Sequence, residues 1–305
     1  MHPSALEFGS QFFNTYCKDR SGIVVVDIGS QNINGSLRDV CPHGMNYKGV
    51  DFCPGKGVDI VLEDPYKLPF DDGSIDVVVC SSVFEHSQFF WVLFLEVMRT
   101  LKPEGLFYLN VPSNGYVHRY PVDCWRFYPD SALALVAWAE RNGYSPALLE
   151  SFVGEKNYLS IESDAWNDFV AVFIKDTQCR GGYKERIIQS LDKYANAYCD
   201  DGVTEVKANL FTDDFLLISA KILEIAGLNQ NLANVHQKNN VMEQTIAARA
   251  ERIAELEKVV MELRQTLDAQ QRHADVLKGS LDEVYSSMSW RATALLRNIK
   301  ARFLR

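Results

Sequence analysis

Side chains that could carry out acid–base chemistry are concentrated between positions 114 and 129. His118 is a candidate general base, because an imidazole titrates near neutral pH. Asp123 is a second candidate proton acceptor in the same segment. Glu85-His86 form another candidate pair earlier in the chain, in which His86 could also act on a substrate. The alternative for that pair is helix capping together with a histidine whose hydrogen bonds are satisfied, and the sequence leaves both interpretations open.

The same segment contains groups suited to binding a polar substrate. Arg119 and Arg126 could hold a phosphate or a carboxylate through their guanidinium groups. Tyr120 and Trp125 offer aromatic faces and hydrogen-bonding edges that suit a sugar ring. In the alternative interpretation the aromatic residues belong to the core and the arginines pair with surface acids.

Residues 23–35 have the pattern of a buried parallel strand that ends in an acidic residue and a glycine turn. The β-branched run before Asp27 is typical of a strand that is covered on both faces. Gly29 allows a tight turn and a close approach to a ligand at the carboxyl edge of the sheet. Gln31 and Asn34 stand where a dinucleotide-binding loop has its second and third glycines, which disfavours a pyrophosphate ligand.

A second apparent strand ends at Asp51. Asp51 follows Asp27 at about the 20-residue separation expected for an acid that binds a ribose. A carboxylate there could accept hydrogen bonds from both ribose hydroxyls. The alternative is an exposed aspartate at the end of a strand.

The order of these motifs resembles that of class I S-adenosylmethionine-dependent methyltransferases. The strings LPFDDGSIDVVVCSSVFEH at 68–86 and LKPEGLFYLNV at 101–111 resemble the family's later strands, with Glu104 replacing a turn glycine. The resemblance spans about residues 20–175 and implies S-adenosylmethionine as the cofactor. The residues that it places at the cofactor are Asp27, Gly29, Ser30, Asp51, Phe52, Asp64, Pro65 and Ser81.

The string HRYPVDCWRF at 118–127 resembles the corresponding segment of methyltransferases from bacterial cell-surface glycan (O-antigen-like) clusters. This resemblance implies a sugar or glycan acceptor. It makes His118, Asp123 and His86 the candidate catalytic residues. The candidate substrate-binding residues are Arg119, Tyr120, Trp125 and Arg126.

The alternation of strand and helix patterns up to about residue 175 predicts an α/β fold. We expect a Rossmann-like methyltransferase sheet with helices on both faces, then a helical region and a long C-terminal coiled coil. Helices are expected at 5–16, 87–101 and 129–143, and the last strand at 169–174. The predicted domains are a methyltransferase domain at 1–180, a helical extension at 181–224, a coiled coil at 225–288 and a basic amphipathic tail at 289–305.

Two apolar series in the third region alternate at spacings of three and four, as a and d positions of a heptad do. The first is Ile246, Ile253, Val260, Leu267, Ala274 and Leu281. The second is Leu256, Leu263, Leu277 and Val284, interrupted by Arg249 and Gln270. The pattern predicts a homo-oligomer, and the early β-branched a positions favour a parallel dimer. The alternative is an amphipathic helix that packs on the globular domain.

The last 17 residues contain five basic and no acidic side chains. Trp290, Leu295, Leu296, Ile299 and Phe303 could share one side of a helix, so the tail could lie on an anionic membrane surface. Docking on a partner protein is the alternative. The string SSMSWRATALLR at 286–297 resembles a tail found in bacterial polysaccharide-assembly proteins, which suggests a glycosyltransferase as a partner.

The composition of the chain excludes some classes of function and of cellular location. The net charge of −9 argues against nucleic-acid binding through a basic surface. The seven dispersed cysteines include no C-x-x-C pair, so we expect reduced thiols and no metal site. The sequence shows no secretory signal or apolar run of transmembrane length, so a cytoplasmic location is expected, with peripheral association at the inner face of the membrane.

The sequence therefore predicts a methyltransferase that acts on a sugar or glycan intermediate of cell-surface polysaccharide biosynthesis. A catalytically silent scaffold of a polysaccharide-assembly complex is one alternative, favoured by Gln31 and Asn34 in the glycine loop. A methyltransferase with a small-molecule acceptor is another, although the heptads and the basic tail argue against it.

Overall fold

The computed structural model of the protein describes residues 3–154, 167–200 and 206–303. The chain divides into two compact units, Met1–Lys221 and Ile222–Arg305. The first unit contains the sheet and all of the buried core in the described residues.

One eight-stranded sheet organises the first unit. Its strands are β1 (Val24–Ile28), β2 (Asn46–Asp51), β3 (Ile60–Val61), β4 (Ile75–Ser81), β5 (Leu101–Pro112), β6 (Ala147–Gly154), β7 (Asp168–Ile174) and β8 (Tyr194–Cys199). Their spatial order is β3-β2-β1-β4-β5-β7-β6-β8. The first five strands run parallel, whereas β7 is antiparallel to both β5 and β6, and β8 is antiparallel to β6.

Alternating side chains of the central strands supply two apolar cores, because successive residues of a strand point to opposite faces. Val25 packs with helix α1 (Pro3–Tyr16) on one face, among Phe8, Phe12 and Phe13. Val26 lies in the core of the other face, which helices α2 (Phe90–Thr100) and α3 (Ser131–Arg141) cover. This arrangement confirms the predicted Rossmann-like sheet with helices on both faces, and the three predicted helices are present.

The structure differs from the predicted helical extension at 181–224. That region contains a short 3-10 turn at Ile187–Ser190 and strand β8, so the strand at 168–174 is not the last one. Ala197 and Cys199 of β8 are buried against the α1 side of the sheet, and that burial outweighs the helical preference of the local sequence. The carboxylate of Glu150 in β6 binds the turn, accepting hydrogen bonds from the Ile187 and Ile188 amides at 2.7 and 3.1 Å.

A 74-residue helix, α4 (Asp213–Ser286), is followed by α5 (Met288–Ala292) and α6 (Ala294–Phe303). No residue of α4 is buried, although its described sequence carries the predicted heptads. Pairing of this helix with a second copy therefore stays a prediction. Residues 304–305 of the predicted tail lie outside the described residues. Across the described part of the chain, no helix has the length and apolarity that crossing a membrane requires.

Candidate active site

A cavity of about 690 Å³ lies at the carboxyl ends of β1, β2 and β4. The loops after these strands form one wall, which we call the donor side. Residues 118–122 form the facing wall, which we call the acceptor side. The topology thus brings together the two segments that the sequence singled out, because parallel strands present their carboxyl ends at one sheet edge.

Gly29 shapes the bottom of the donor side. Its φ of +77° lies in the left-handed region, and an added Cβ would come within 2.1 Å of Val83 Cγ2. Only glycine therefore fits this turn without displacing its neighbour. Gln31 and Asn34, which replace the glycines of a dinucleotide loop, also line the cavity.

Asp51 is the charged group of the donor side. Its Oδ2 accepts a hydrogen bond from the backbone N–H of Gln31 at 3.2 Å, and its Oδ1 accepts one from the backbone N–H of Cys53 at 3.0 Å. These bonds fix the carboxylate at the cavity wall, and each oxygen keeps a lone pair for a ligand hydroxyl. Phe52 and Pro65 add apolar surface beside it.

Three of the predicted cofactor residues do not line the cavity. Asp27 is buried behind it, where Oδ2 accepts a hydrogen bond from the Tyr47 hydroxyl at 2.8 Å. Burial raises the pKa of Asp27 to about 7, although the Tyr47 hydrogen bond opposes this shift. Ser30 is also buried, and Asp64 instead accepts a hydrogen bond from the Tyr66 amide at 2.8 Å. The structure therefore places Asp27 and Ser30 behind the donor side and Asp64 beside it.

Ser81, at the end of β4, lines the cavity with a buried hydroxyl that has no hydrogen-bond partner among the described residues. A buried hydroxyl without a partner is costly, so this group is suited to a bound ligand. Ser82 follows with a left-handed φ of +58°, which is uncommon for a residue with a side chain. A carboxylate, an unpartnered hydroxyl and an apolar wall fit the ribose, the amino-acid end and the adenine of S-adenosylmethionine.

The acceptor side is an irregular segment after β5 that is tied to the turn after β4. The Glu85 carbonyl accepts hydrogen bonds from the amides of Cys124 and Trp125 at 2.7 and 3.2 Å. The Val122 carbonyl lies 2.5 Å from Nδ1 of His86 and accepts its proton. Backbone contacts of this kind hold the segment over the cavity without a helix or strand.

His118 and Asp123 are coupled within this segment. Asp123 Oδ2 accepts a hydrogen bond from the His118 amide at 2.6 Å and lies 3.4 Å from the Nδ1 atom of the ring. Arg126 donates to Asp123 Oδ1 at 2.5 Å, and this hydrogen bond lowers the pKa of Asp123 to about 2. Asp123 is therefore a fixed carboxylate that can orient His118 but is a weak proton acceptor.

The predicted substrate residues divide into two pairs. Arg119 and Tyr120 line the cavity, and the Tyr120 hydroxyl donates across it to Gln31 Oε1 at 3.2 Å. Trp125 and Arg126 do not line it, since Trp125 Nε1 donates to the Ser87 carbonyl at 2.9 Å and Arg126 binds Asp123. Tyr120 and Trp125 are both exposed, contrary to the alternative that they belong to the core.

Glu85 and His86, in the turn after β4, meet His118 of the acceptor side. The Glu85 side chain is 1% exposed, and burial raises its pKa to about 8. The Nε2 atom of His86 lies 3.8 Å from Glu85 Oε1, and the rings of His86 and His118 are 4.9 Å apart, edge to face. Burial also lowers the pKa of His86. The sequence predicted Glu85-His86 as a candidate pair. Its proximity to His118 depends on the backbone conformation of the irregular segment after β5, which the sequence did not predict.

Comparisons with known proteins find similarity over part of the chain. Residues 10–109 match a family profile described as a methyltransferase domain. No curated protein matches the chain. This sequence match covers the strand, glycine turn and Asp51 on which the donor side is built.

Several solved structures are similar to part of this chain. The YcgJ protein of Bacillus subtilis is 16% identical, with a TM-score of 0.41 and coverage of 57% of this chain and 99% of that one. A methyltransferase of Methanosarcina mazei is 15% identical, with a TM-score of 0.42 and coverage of 58% and 98%. A Burkholderia thailandensis N1-methyltransferase with bound S-adenosylhomocysteine is 13% identical, with a TM-score of 0.41 and coverage of 57% and 79%.

The family match lies within the first unit, and the enzyme is a methyltransferase that depends on S-adenosylmethionine. When bound, this cofactor supplies an electrophilic methyl group on a sulfonium. The protein's main contribution to such a displacement is to align the donor with the acceptor.

Proposed function

We propose that the protein transfers a methyl group to a hydroxyl of a sugar or glycan intermediate of cell-surface polysaccharide synthesis. The observation that carries this proposal is the acceptor side, where His118, Arg119 and Tyr120 face Gly29 and Asp51 across one cavity. Polar and aromatic groups together suit a sugar ring better than an apolar acceptor.

Arg119 supports an acceptor that carries a phosphate or carboxylate. Its side chain lines the cavity and has no ion-pair partner in residues 3–154, 167–200 and 206–303. Arg126, seven positions later, is instead held by Asp123. A guanidinium without a competing carboxylate is suited to bind an anion.

His118 is the proposed acceptor of the hydroxyl proton. Asp123 is the proposed positioning residue for its ring, and His86 lies at the edge of the same ring. In this step the hydroxyl oxygen bonds to the methyl carbon, the carbon–sulfur bond of the donor breaks, and the proton moves to the imidazole. Positioned bases of this kind contribute roughly 10²–10⁴-fold to rate.

A direct test uses methyl-labelled S-adenosylmethionine with two sets of acceptors, nucleotide sugars and the same sugars without phosphate. We expect label in the phosphorylated sugars. The Arg119→Gln variant should raise KM for these acceptors by roughly 10-fold, the loss of one charged hydrogen bond, and leave KM for the neutral sugars unchanged. The matched control is Arg141→Gln, at an exposed arginine outside the cavity.

Other outcomes of this assay would contradict the proposal. Label that enters only small molecules without a sugar would establish the small-molecule alternative. Binding of S-adenosylmethionine with no transfer to any acceptor would favour the scaffold alternative.

We also propose that α4 pairs with a second copy of this chain as a coiled coil. The apolar residues of its heptads are about half exposed along the helix, including Leu256, Val260 and Leu263. A helix of 74 residues is about 110 Å long, and such a stripe is stable when another helix covers it.

The tail is the proposed contact with an anionic membrane surface, with a glycosyltransferase as the alternative partner. The described part of α6 has exposed apolar residues at Leu296 and Ile299. The guanidinium of Arg297 stacks on Trp290, 3.5 Å from the ring centre. An aromatic residue beside a cation is typical of helices that lie at the membrane interface.

A further inference from the structure

Three side chains with metal-binding atoms converge where the turn after β4 meets the acceptor side of the cavity. Glu85 and His86 belong to the 3-10 turn after β4, and His118 belongs to the segment after β5. One ligand atom from each lies within 4.8 Å of the other two. The sequence predicted no metal site, because the cysteine spacing shows none and these residues are far apart in the chain.

We propose that Glu85, His86 and His118 bind one divalent transition-metal ion. Two imidazoles and one carboxylate form the donor set that proteins use for Fe²⁺, and the same nitrogen and oxygen atoms accept Mn²⁺, Co²⁺ and Zn²⁺. The set leaves positions open on the cavity side, where a substrate oxygen could bind.

The unsatisfied carboxylate of Glu85 is an independent observation that points to a ligand. Its Oε2 atom is buried and has no hydrogen-bond partner among the described residues. A buried carboxyl oxygen without a partner carries a desolvation cost, and burial disfavours its charged form. A bound cation would supply the missing partner, and no described lysine or arginine forms an ion pair with Glu85.

The groups around the two histidines also fit a metal site. His86 donates its Nδ1 proton to the Val122 carbonyl, so that Nε2, on the side of Glu85, is the nitrogen that can bind an ion. The Nδ1 atom of His118 faces Asp123. Metal-binding histidines usually donate their second ring proton to a carbonyl or a carboxylate in this way.

The ligand atoms must move closer together when an ion binds. With bonds of about 2.1 Å, two ligand atoms of a tetrahedral ion are roughly 3.4 Å apart. Side-chain rotations that bring the ligand atoms up to about 1.4 Å closer together would close the present separation. His118 lies in an irregular segment, which can accommodate such a shift more easily than a strand.

The catalytic role of the ion depends on the proposed function. A hydroxyl bound to a divalent ion loses its proton more readily. The proton would then pass to water while the oxygen takes the methyl group, and His118 would serve as a ligand. In the ion-free protein His118 keeps the role of proton acceptor.

The experiment is calorimetric titration of the EDTA-treated, dialysed full-length protein with Mn²⁺ and with Co²⁺, together with the Co²⁺ absorption spectrum. We expect one equivalent of either ion and visible Co²⁺ bands shaped by imidazole ligands. Glu85→Gln and His86→Gln should each weaken binding by roughly 10–100-fold, the size of effect seen even for residues that orient ligands.

Two control variants bind metal normally if the assignment is right. His43→Gln removes an exposed histidine, and Cys124→Ser removes the exposed thiol of the acceptor segment. Calorimetry with S-adenosylmethionine checks that every variant is folded. No stoichiometric binding by the native protein, or equal binding by Glu85→Gln and the controls, overturns the proposal.

The metal site and the proposed function can fail separately. A protein that methylates sugars equally well with and without EDTA keeps its function and loses the catalytic ion. A protein that binds Co²⁺ through Glu85 but methylates no sugar keeps the metal site and loses the proposed acceptor.

Discussion

The sheet domain and the long helix use the same apolar residue types in opposite ways. Val77, Val78 and Phe107 of the sheet are 0% exposed, whereas Leu256 and Leu263 of α4 are 49% and 64% exposed. Burying a leucine contributes about 1.5–3 kcal/mol, so the helix leaves a large stabilising term unused within one chain. The first region thus completes its own core, whereas the proposed pairing of α4 with a second copy would cover the apolar residues that α4 leaves exposed.

Polar groups show a related contrast within the first unit. Glu150 is fully buried, but its carboxylate accepts hydrogen bonds from Tyr16 Oη and from two backbone amides. Glu85 and Ser81 are buried at the cavity and each retains an oxygen without a partner among the described residues. Because these two oxygens border the cavity, a bound ligand could supply their missing partners.

The largest effect should follow from breaking the helix stripe. The pair Leu256→Asp and Leu263→Asp places four carboxylates in a dimer interface and removes four leucines from it. Self-association should weaken by at least roughly 10³-fold, as the lost burial implies. Sedimentation velocity of native and variant protein over a range of concentrations would measure it.

The matched control carries Lys258→Asp and Gln265→Asp on the opposite side of the same heptads, and it should associate normally apart from a small charge effect. A chain that ends after Gly227 should bind S-adenosylmethionine as a monomer. If this shortened protein forms the same oligomer as the intact one, the sheet domain makes the contacts between copies, and the proposed coiled coil is wrong.

The second effect concerns the acceptor side. His118→Ala should lower turnover roughly 10²–10⁴-fold, because it removes the proton acceptor or a metal ligand. Affinity for S-adenosylmethionine should stay the same, since the donor side is unchanged. His43→Ala is the matched control. Full activity of the His118 variant on a true acceptor would move the role to His86 or Glu85.

The third effect is a pH dependence of the free energy of unfolding. Asp27 has a folded-state pKa of about 7, raised from 3.8 by burial. Its stabilising effect is complete below the unfolded-state pKa and is lost as the pH rises through about 7, because the unfolded carboxyl ionises more easily. Between pH 5 and pH 8 this loss is on the order of 2–3 kcal/mol.

Asp27→Asn cannot ionise and keeps an oxygen for the Tyr47 hydroxyl. Urea unfolding at both pH values should therefore show a smaller decline for the variant than for the native domain. Equal declines would mean that Asp27 is already ionised in the folded protein at pH 5.

The fourth effect is a difference between Asp51 and Asp64 in how much each contributes to binding of S-adenosylmethionine. Asp51→Ala should weaken binding of S-adenosylmethionine by about 1–3 kcal/mol, the range for a lost charged hydrogen bond. Asp64→Ala should change it by less than about 0.5 kcal/mol, because Asp64 binds the Tyr66 amide outside the cavity. Calorimetry would measure both affinities. Equal losses, or no loss for Asp51, would contradict the donor side as described.

The smallest effect belongs to the tail. Reversing Arg297 and Lys300 to glutamate should weaken binding to anionic vesicles, since each near-surface cation contributes about 1 kcal/mol at low salt. Methyl transfer to a soluble acceptor should be unaffected. Arg272→Glu in α4 is the control for charge alone. An intact protein that does not sediment with such vesicles would make the tail a protein-docking helix.

The sheet was largely predictable because its strands have strong local signals. The β-branched run before Asp27 and the apolar run of β4 are each sufficient to predict a covered strand. Strand β8 has no such run, since it consists of Tyr, Ala, Asn and Cys. Its place in the sheet depends on packing against residues far away in the chain, which no local pattern reports.

The lining of the candidate cavity was predictable only in part on both sides, since Asp27, Ser30 and Asp64 do not line it. Gly29 and Asp51 follow strands, so the topology alone brings them to one edge. The directions of Trp125 and Arg126 depend on backbone hydrogen bonds in an irregular segment, where no periodicity applies. For the same reason the sequence could not show that His118 meets Glu85.

The order of the strands and the long helix along the chain has a consequence for folding during protein synthesis. Strand β8 is the last part of the sheet, and it precedes every heptad of α4. A ribosome that adds about 5–20 residues per second needs roughly 5–21 s to make the 106 residues from 200 to 305. Each nascent chain can thus complete its sheet while its helix is still being made. If α4 pairs as proposed, two copies made on one messenger would join through their helices after their enzymatic domains have folded separately.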